Sequence, residues 1–144
     1  MDARVVKLKT PAECVIFAKN ARDRGALELS EQARKRSVQL RADSHGASSD
    51  VERECFQAVY AYEEILSAQK GKRQPASRTW QMIKRHGILP AVERVVTKRL
   101  ESAGYTVLAE MGLQEFAFEA VILRHPSHFS EEAVRRSKER LETR

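Results

Sequence analysis

Two strong helix-start signals, each followed by a long stretch with apolar residues at helical spacing, constrain this chain more than any other feature. Thr10-Pro11-Ala12-Glu13 offers a capping hydroxyl, a proline whose missing N–H costs nothing in the first turn, and a glutamate that can reach back to the cap amide. Ser49-Asp50-Val51-Glu52 repeats the arrangement of a capping hydroxyl with an acid three residues on. Periodicity of 3.6 rather than 2 then runs through most of the chain.

The first signal predicts a helix from Pro11 to about Arg24, ended by Gly25, with Val15, Phe17, Ala18 and Ala21 facing inward. A second helix is expected over Leu27–Asp43, with Leu29, Ala33, Val38 and Leu40 inside and Arg34, Lys35, Arg36 and Arg41 outside. So short a link implies an antiparallel hairpin. After a loop at Ser44-His45-Gly46-Ala47-Ser48, the second signal opens a helix to about Lys70. Phe56, Val59, Tyr62 or Ala61, Ile65 and Leu66 make it the best amphipathic stretch and the expected centre of the core.

Beyond a basic loop at Lys70–Pro75, a short helix is expected over Ala76–His86, ended by Gly87, and another from Ile88-Leu89-Pro90 to about Leu100. A helical turn at Tyr105–Met111 lies between Gly104 and Gly112. Leu113–Arg124 reads as a helix, although the alternation of Phe116, Phe118 and Ala120 also allows a strand. Ser130-Glu131-Glu132 starts a last helix, and residues 135–144 are so charged that this end is expected to fray. Residues 1–9 read as an irregular or extended lead-in, with Val5, Val6 and Leu8 available for a short strand or for packing. No low-complexity linker divides the 144 residues. The expectation is all-α: a single compact multi-helix domain of about six to seven helices, with a short extended N-terminal segment.

Cys14 and Cys55 each lie in a helical stretch with apolar neighbours, and no CxxC pair occurs, so both read as buried thiols in a reducing compartment. The N-terminal residues show no leader pattern. The longest apolar runs, Cys14–Ala18 and Ala120–Leu123, fall well short of the roughly 20 residues that a membrane span needs. A cytoplasmic protein with no membrane association is expected.

Charge is partitioned along the chain. Residues 72–104 carry Lys72, Arg73, Arg78, Lys84, Arg85, Arg94, Lys98 and Arg99 against only Glu93 and Glu101, whereas residues 50–71 carry five acids against Arg53 and Lys70. The whole chain is at +6, a balance that favours polyanionic partners. Ser77–Arg94 resembles a helix-turn-helix in outline: short helix, glycine, apolar residue, second helix. In such a motif the start of the second helix meets base edges, and here Pro90, Ala91 and Val92 stand there, none able to make a bidentate base contact. Phosphate contact is easier to argue. Lys72, Arg73, Arg78, Lys84, Arg85, Arg94 and Lys98 are the candidate contacts, with Trp80 as a candidate stacking ring, though a tryptophan in a helix is more often core.

Enzyme signatures are sparse. Gly71-Lys72 lacks the earlier glycine and the following Ser or Thr of a P-loop, and neither GxGxxG nor GxSxG occurs. His125 and His128 flank a proline turn, and with Glu119 they compose a candidate metal site for phosphodiester hydrolysis, although capping or surface roles are commoner for such histidines. Glu115 and Glu119 share a helical face and could hold Mg²⁺; the blander role for Glu119 is pairing with Arg124 or with an arginine across the core. His86 reads as a cation at a helix C-terminus. No catalytic residue, metal or cofactor is assigned. The leading expectation is a small non-catalytic nucleic-acid-binding protein, DNA ahead of RNA. A helical interaction module comes second, as a homodimer or with an acidic protein partner, and a metal-dependent hydrolase is third.

Overall fold

Both start signals form the caps they spell. In the computed structural model, which describes residues 1–98 and 104–142, Thr10 Oγ1 accepts from the Glu13 amide and Ser49 Oγ from the Glu52 amide. The helices they open are α2 (Pro11–Asp23) and α4 (Asp50–Lys70), with α3 (Leu27–Asp43) between them and α1 (Ala3–Val6) in front. Next come α5 (Ser77–His86), α6 (Ile88–Thr97), α7 (Gly104–Glu110), α8 (Phe118–Arg124) and α9 (Glu131–Glu142), with 3-10 turns at Gln114–Phe116 and Pro126–His128. No strand occurs among the described residues. The expected helix end near Leu100, with Arg99 and Glu101, lies outside the described residues, as do residues 143 and 144.

The nine α-helices among the described residues exceed the six to seven expected, and the N-terminus supplies one of the additions. Asp2 caps α1 by accepting from the Arg4 amide, and the Asp2 amide donates to Gln32 Oε1 at 2.7 Å. Arg36 donates to the Val6 and Leu8 carbonyls. Tied to α3 in this way, the segment packs Val5 completely inside and leaves Val6 exposed, with a helical turn in place of the expected irregular or extended lead-in.

Small side chains set the α2–α3 hairpin. Cys14, Ala18 and Ala21 recur at spacings of four and three and face Ser30, Ala33 and Ser37, and the Ser30 hydroxyl donates to the Ala18 carbonyl at 2.8 Å. Such residues let two helices approach closely. The stripe differs from the expected one: Val15 is 51% exposed, because α2 packs chiefly on α3 and Val15 points off that line. Phe17, Leu29 and Leu40 are half-buried.

The central position of α4 is as expected. One side of it joins Val51, Cys55, Ala58 and Val59 to Ile88, Val92, Val95 and Val96 of α6 and to Phe118, Val121 and Ile122 of α8. Another side joins Ala61 and Ile65 to Val38, Leu108, Leu113 and Phe116. Burial pushes the Cys55 thiol up to about 12, and Cys14 also above its usual range, so both thiols stay protonated. The stretch expected as one helix over Leu113–Arg124 is broken at Ala117, whose extended backbone (ψ 144°) lets Phe116 and Phe118 both turn inward. The alternation is therefore the mark of a kink and not of a strand.

The charged end of α9 stays helical through Glu142. Ser130 Oγ caps it by accepting from the Ala133 amide. Arg140 turns inward, where Nη1 meets Glu119 at 3.1 Å and Nη2 donates to the Val96 carbonyl at 2.8 Å, joining α8, α9 and α6. Removing the carboxylate from such a pair takes a countercharge away from a largely buried guanidinium. Glu119→Ala is therefore expected to cost about 3 kcal/mol, seen as a fall of roughly 10 °C in the thermal midpoint. A melt within a degree or two of the parent would rule this out.

Candidate nucleic-acid interface

The basic segment begins in a loop pinned at both ends to α4. The Gln74 amide donates to Ser67 Oγ at 2.9 Å, and the Ala76 amide to Glu63 Oε2 at 2.8 Å. Lys72 and Arg73 are exposed between the end of α4 and these pinned amides. Glu63, a buried carboxylate, also accepts from Trp80 Nε1 at 2.7 Å, so a single side chain of α4 fixes both the residue just before α5 and that helix's first aromatic ring.

With its start held, α5 has a defined rotation. Thr79 is buried and Trp80, Met82 and Ile83 pack on the core, while Arg78, Gln81 and Arg85, at spacings of three and four, share the solvent side. Lys84 is exposed on the flank of that row. Lys84, Arg85 and His86 also occupy the last turn, where cations complement the helix dipole. Gly87 (φ 92°), in a region that disfavours other residues, is the single residue between α5 and α6, a shorter link than a usual helix-turn-helix. Ala91 and Val92 are fully buried at the start of α6, so the places where a recognition helix would read bases belong to the core. Arg94 and Lys98 are exposed on α6, a separate helix from the α5 row.

Pairing separates the two charge blocks. Among the described residues, none of Lys72, Arg73, Arg78, Lys84, Arg85, Arg94 and Lys98 makes an ion pair. Every acid of α4 is committed within the chain. Asp50 pairs with Arg53, Glu52 accepts from Ser48 and Ser49, Glu54 holds Arg124 and His125, Glu63 holds Ala76 and Trp80, and Glu64 faces Arg34.

Beside this basic loop lies a ring cluster that no sequence motif announces. Phe56 and Tyr60, with Glu63, form one face of α4 at spacings of four and three; His45 arrives from the loop after α3, and Trp80 from α5. The centroid of His45 is 4.1 Å from Phe56 and 5.4 Å from Trp80, with Phe56 and Trp80 6.3 Å apart and all three planes within 20°. Those separations are too short for a single column, so the rings form a triangle. His45 Nε2 lies 2.7 Å from the Tyr60 hydroxyl, and Tyr60 is 5.2 Å from Trp80. His45 is exposed and the other three rings are half-buried. Burial pushes the Tyr60 phenol up, as does Glu63, against the opposing pull of Arg41 and Arg73. Burial also lowers the His45 imidazole, favouring its neutral form.

Compared with known proteins, the chain matches no family model, no curated protein and no solved structure.

The remaining candidates are engaged elsewhere. His125 Nε2 lies 2.8 Å from Glu54 Oε2, and its ring meets His128 edge-on at 6.4 Å. Glu119 is held by Arg140, an arginine across the core, and Glu115 by Lys35 at 2.7 Å. No group of three metal-ligating side chains occurs among the described residues. Burial raises the Glu54 carboxyl, but hydrogen bonds from His125 and Arg124 outweigh it and hold the group below its ordinary 4.5. A depressed carboxyl contributes stability above its unfolded value that is lost as pH falls through the folded one. The stability advantage of the parent over Glu54→Gln should therefore shrink as the pH falls from about 5 to about 3, as denaturant melts would show. An advantage that holds constant or grows on acidification contradicts this.

Proposed function

We propose that this protein binds nucleic acid, without acting chemically on it, through contacts from the cations of residues 72–98 to backbone phosphates. The observation that carries the reading is the contrast in pairing: each acid of α4 has a partner within the chain, whereas seven exposed cations of the basic block have no acidic partner among the described residues. Exposed unpaired cations release counterions from a polyanion when they dock on it, and this gives affinity without sequence readout. The burial of Ala91 and Val92 agrees with binding that does not read base edges in the major groove. The competing reading, in which the acidic face of one copy meets the basic face of another, has less to work with because Glu54, Glu63 and Glu64 are already engaged.

The row Arg78 and Arg85, with Lys84 on its flank, is the part of the block most closely shared by one helix. Reversing Arg78, Lys84 and Arg85 to glutamate is expected to weaken binding of a labelled oligonucleotide. The slope of log affinity against log salt should flatten by about 2 to 3 units, at roughly 0.7–0.9 for each phosphate no longer neutralised. The same reversal of Lys19, Arg22 and Arg24, at α2 and its C-terminal cap, should change the slope much less. If the α5 variant keeps the affinity and slope of the parent in anisotropy titrations, the proposal fails.

A further inference from the structure

Phosphate contacts leave the ring cluster over α4 without a role. We propose that His45, Phe56, Tyr60 and Trp80 form a stacking surface for unpaired nucleobases, with Arg41 and Arg73 holding the adjoining phosphates, so that the preferred ligand is a single strand. This rests on the nucleic-acid reading and adds to it the strand state of the ligand.

Three observations converge. The rings come from three different elements, the loop after α3 and the helices α4 and α5, yet the planes of His45, Phe56 and Trp80 align within 20°. The three centroid separations, 4.1, 5.4 and 6.3 Å, form a triangle, so the near-parallel rings make a cluster and not a single column. None of the four rings is buried, and His45 is exposed, whereas the aliphatic residues on the neighbouring side of α4 are sealed in the core. The polar edges are settled inside the fold: Trp80 Nε1 on Glu63, and His45 Nε2 on the Tyr60 hydroxyl. The ring that the cluster exposes to solvent is that of His45, with Phe56, Tyr60 and Trp80 partly buried beneath it.

Positive charge next to that surface selects the occupant. Arg41 stands half-buried near the end of α3, four residues before His45, and Lys72, Arg73 and Arg78 are exposed on the pinned loop and the first turn of α5. Aromatic faces beside cations are the arrangement by which proteins hold single strands, because every base has a stacking face and every linkage a phosphate. A duplex keeps its bases stacked on one another and can use only the cations.

Trp80 is the sole tryptophan, so its emission reports this surface directly. The test titrates the full-length chain with an oligo(dT) of about 20 nucleotides, long enough to cover a typical single-strand site, with a duplex of the same length, and with heparin, a polyanion that has no bases. Affinity and Trp80 emission are read together. Oligo(dT) should quench Trp80 and bind roughly tenfold tighter than duplex, the scale of one or two stacked bases. Heparin should bind without quenching. His45→Ala, on a loop and checked by its melt, should lose the quenching and fall to the duplex affinity, while His45→Phe, which keeps a ring, should retain both.

If oligo(dT) binds no tighter than duplex and leaves the emission unchanged, the stacking surface is refuted while the phosphate reading survives. If none of the three polyanions binds, both fall. If Trp80 emission instead varies with protein concentration alone and His45→Ala abolishes that, the rings pack against a second copy of the chain and the proposal is overturned.

Discussion

The carboxylate of Glu63 is the point on which the arrangement turns. It sits buried on the central helix, where an unsatisfied charge would be costly, and it is satisfied by a backbone amide at the start of α5 and by the indole N–H of that helix's first ring. Two donors from one segment, meeting one fixed acceptor, set both where α5 begins and how it is rotated. That rotation puts Thr79 inside and Arg78 and Arg85 outside. A buried acid of the core thus decides which face of a neighbouring helix is basic.

The same logic extends to the rest of α4. In sequence its acids suggest a solvated negative surface, a natural counterpart to the basic block. In the fold they are structural clamps: Glu54 draws in the end of α8 through Arg124 and His125, Glu64 faces Arg34 of α3, and Glu52 closes the helix start. Glu54 and Glu64 are paired with arginines within the fold while the cations of the basic block have no acidic partner among the described residues, which concentrates unpaired positive charge in that block. The formal +6 understates how unevenly the charge is available.

Much of the helical framework was legible because it rests on local chemistry. Caps at Thr10 and Ser49, glycine stops at Gly25 and Gly87, and the long amphipathic run of α4 each depend on residues within a few turns of one another. The misses depend on contacts distant in sequence. Residues 3–6 are helical because Gln32 and Arg36, roughly thirty positions away, hold their backbone. The inward stripe of α2 is set by the small-residue surface of α3, which no property of Val15 reveals. The basic block was readable as composition, but its freedom from ion pairs was not, since that depends on where every acid goes. Phe56, Tyr60 and Glu63 at helical spacing were visible. Their meaning required knowing that His45 and Trp80 fold onto that face.

Trp80 shows how one residue can serve both levels. Its indole nitrogen is bound to the buried carboxylate and belongs to the fold, while its ring, packed on the core and only partly buried, borders Tyr60 and the exposed His45. A tryptophan wholly in the core would fix α5 but offer nothing outward, and one wholly in solvent would be free to turn. Held by the nitrogen and flanked by rings, it is immobilised before any ligand arrives. Ordering of a flexible side chain at binding weakens association, so a surface already fixed by the fold's own hydrogen bonds gives a base more of the stacking energy. The interaction that orients the basic helix is therefore also the one that stiffens the aromatic face beside it.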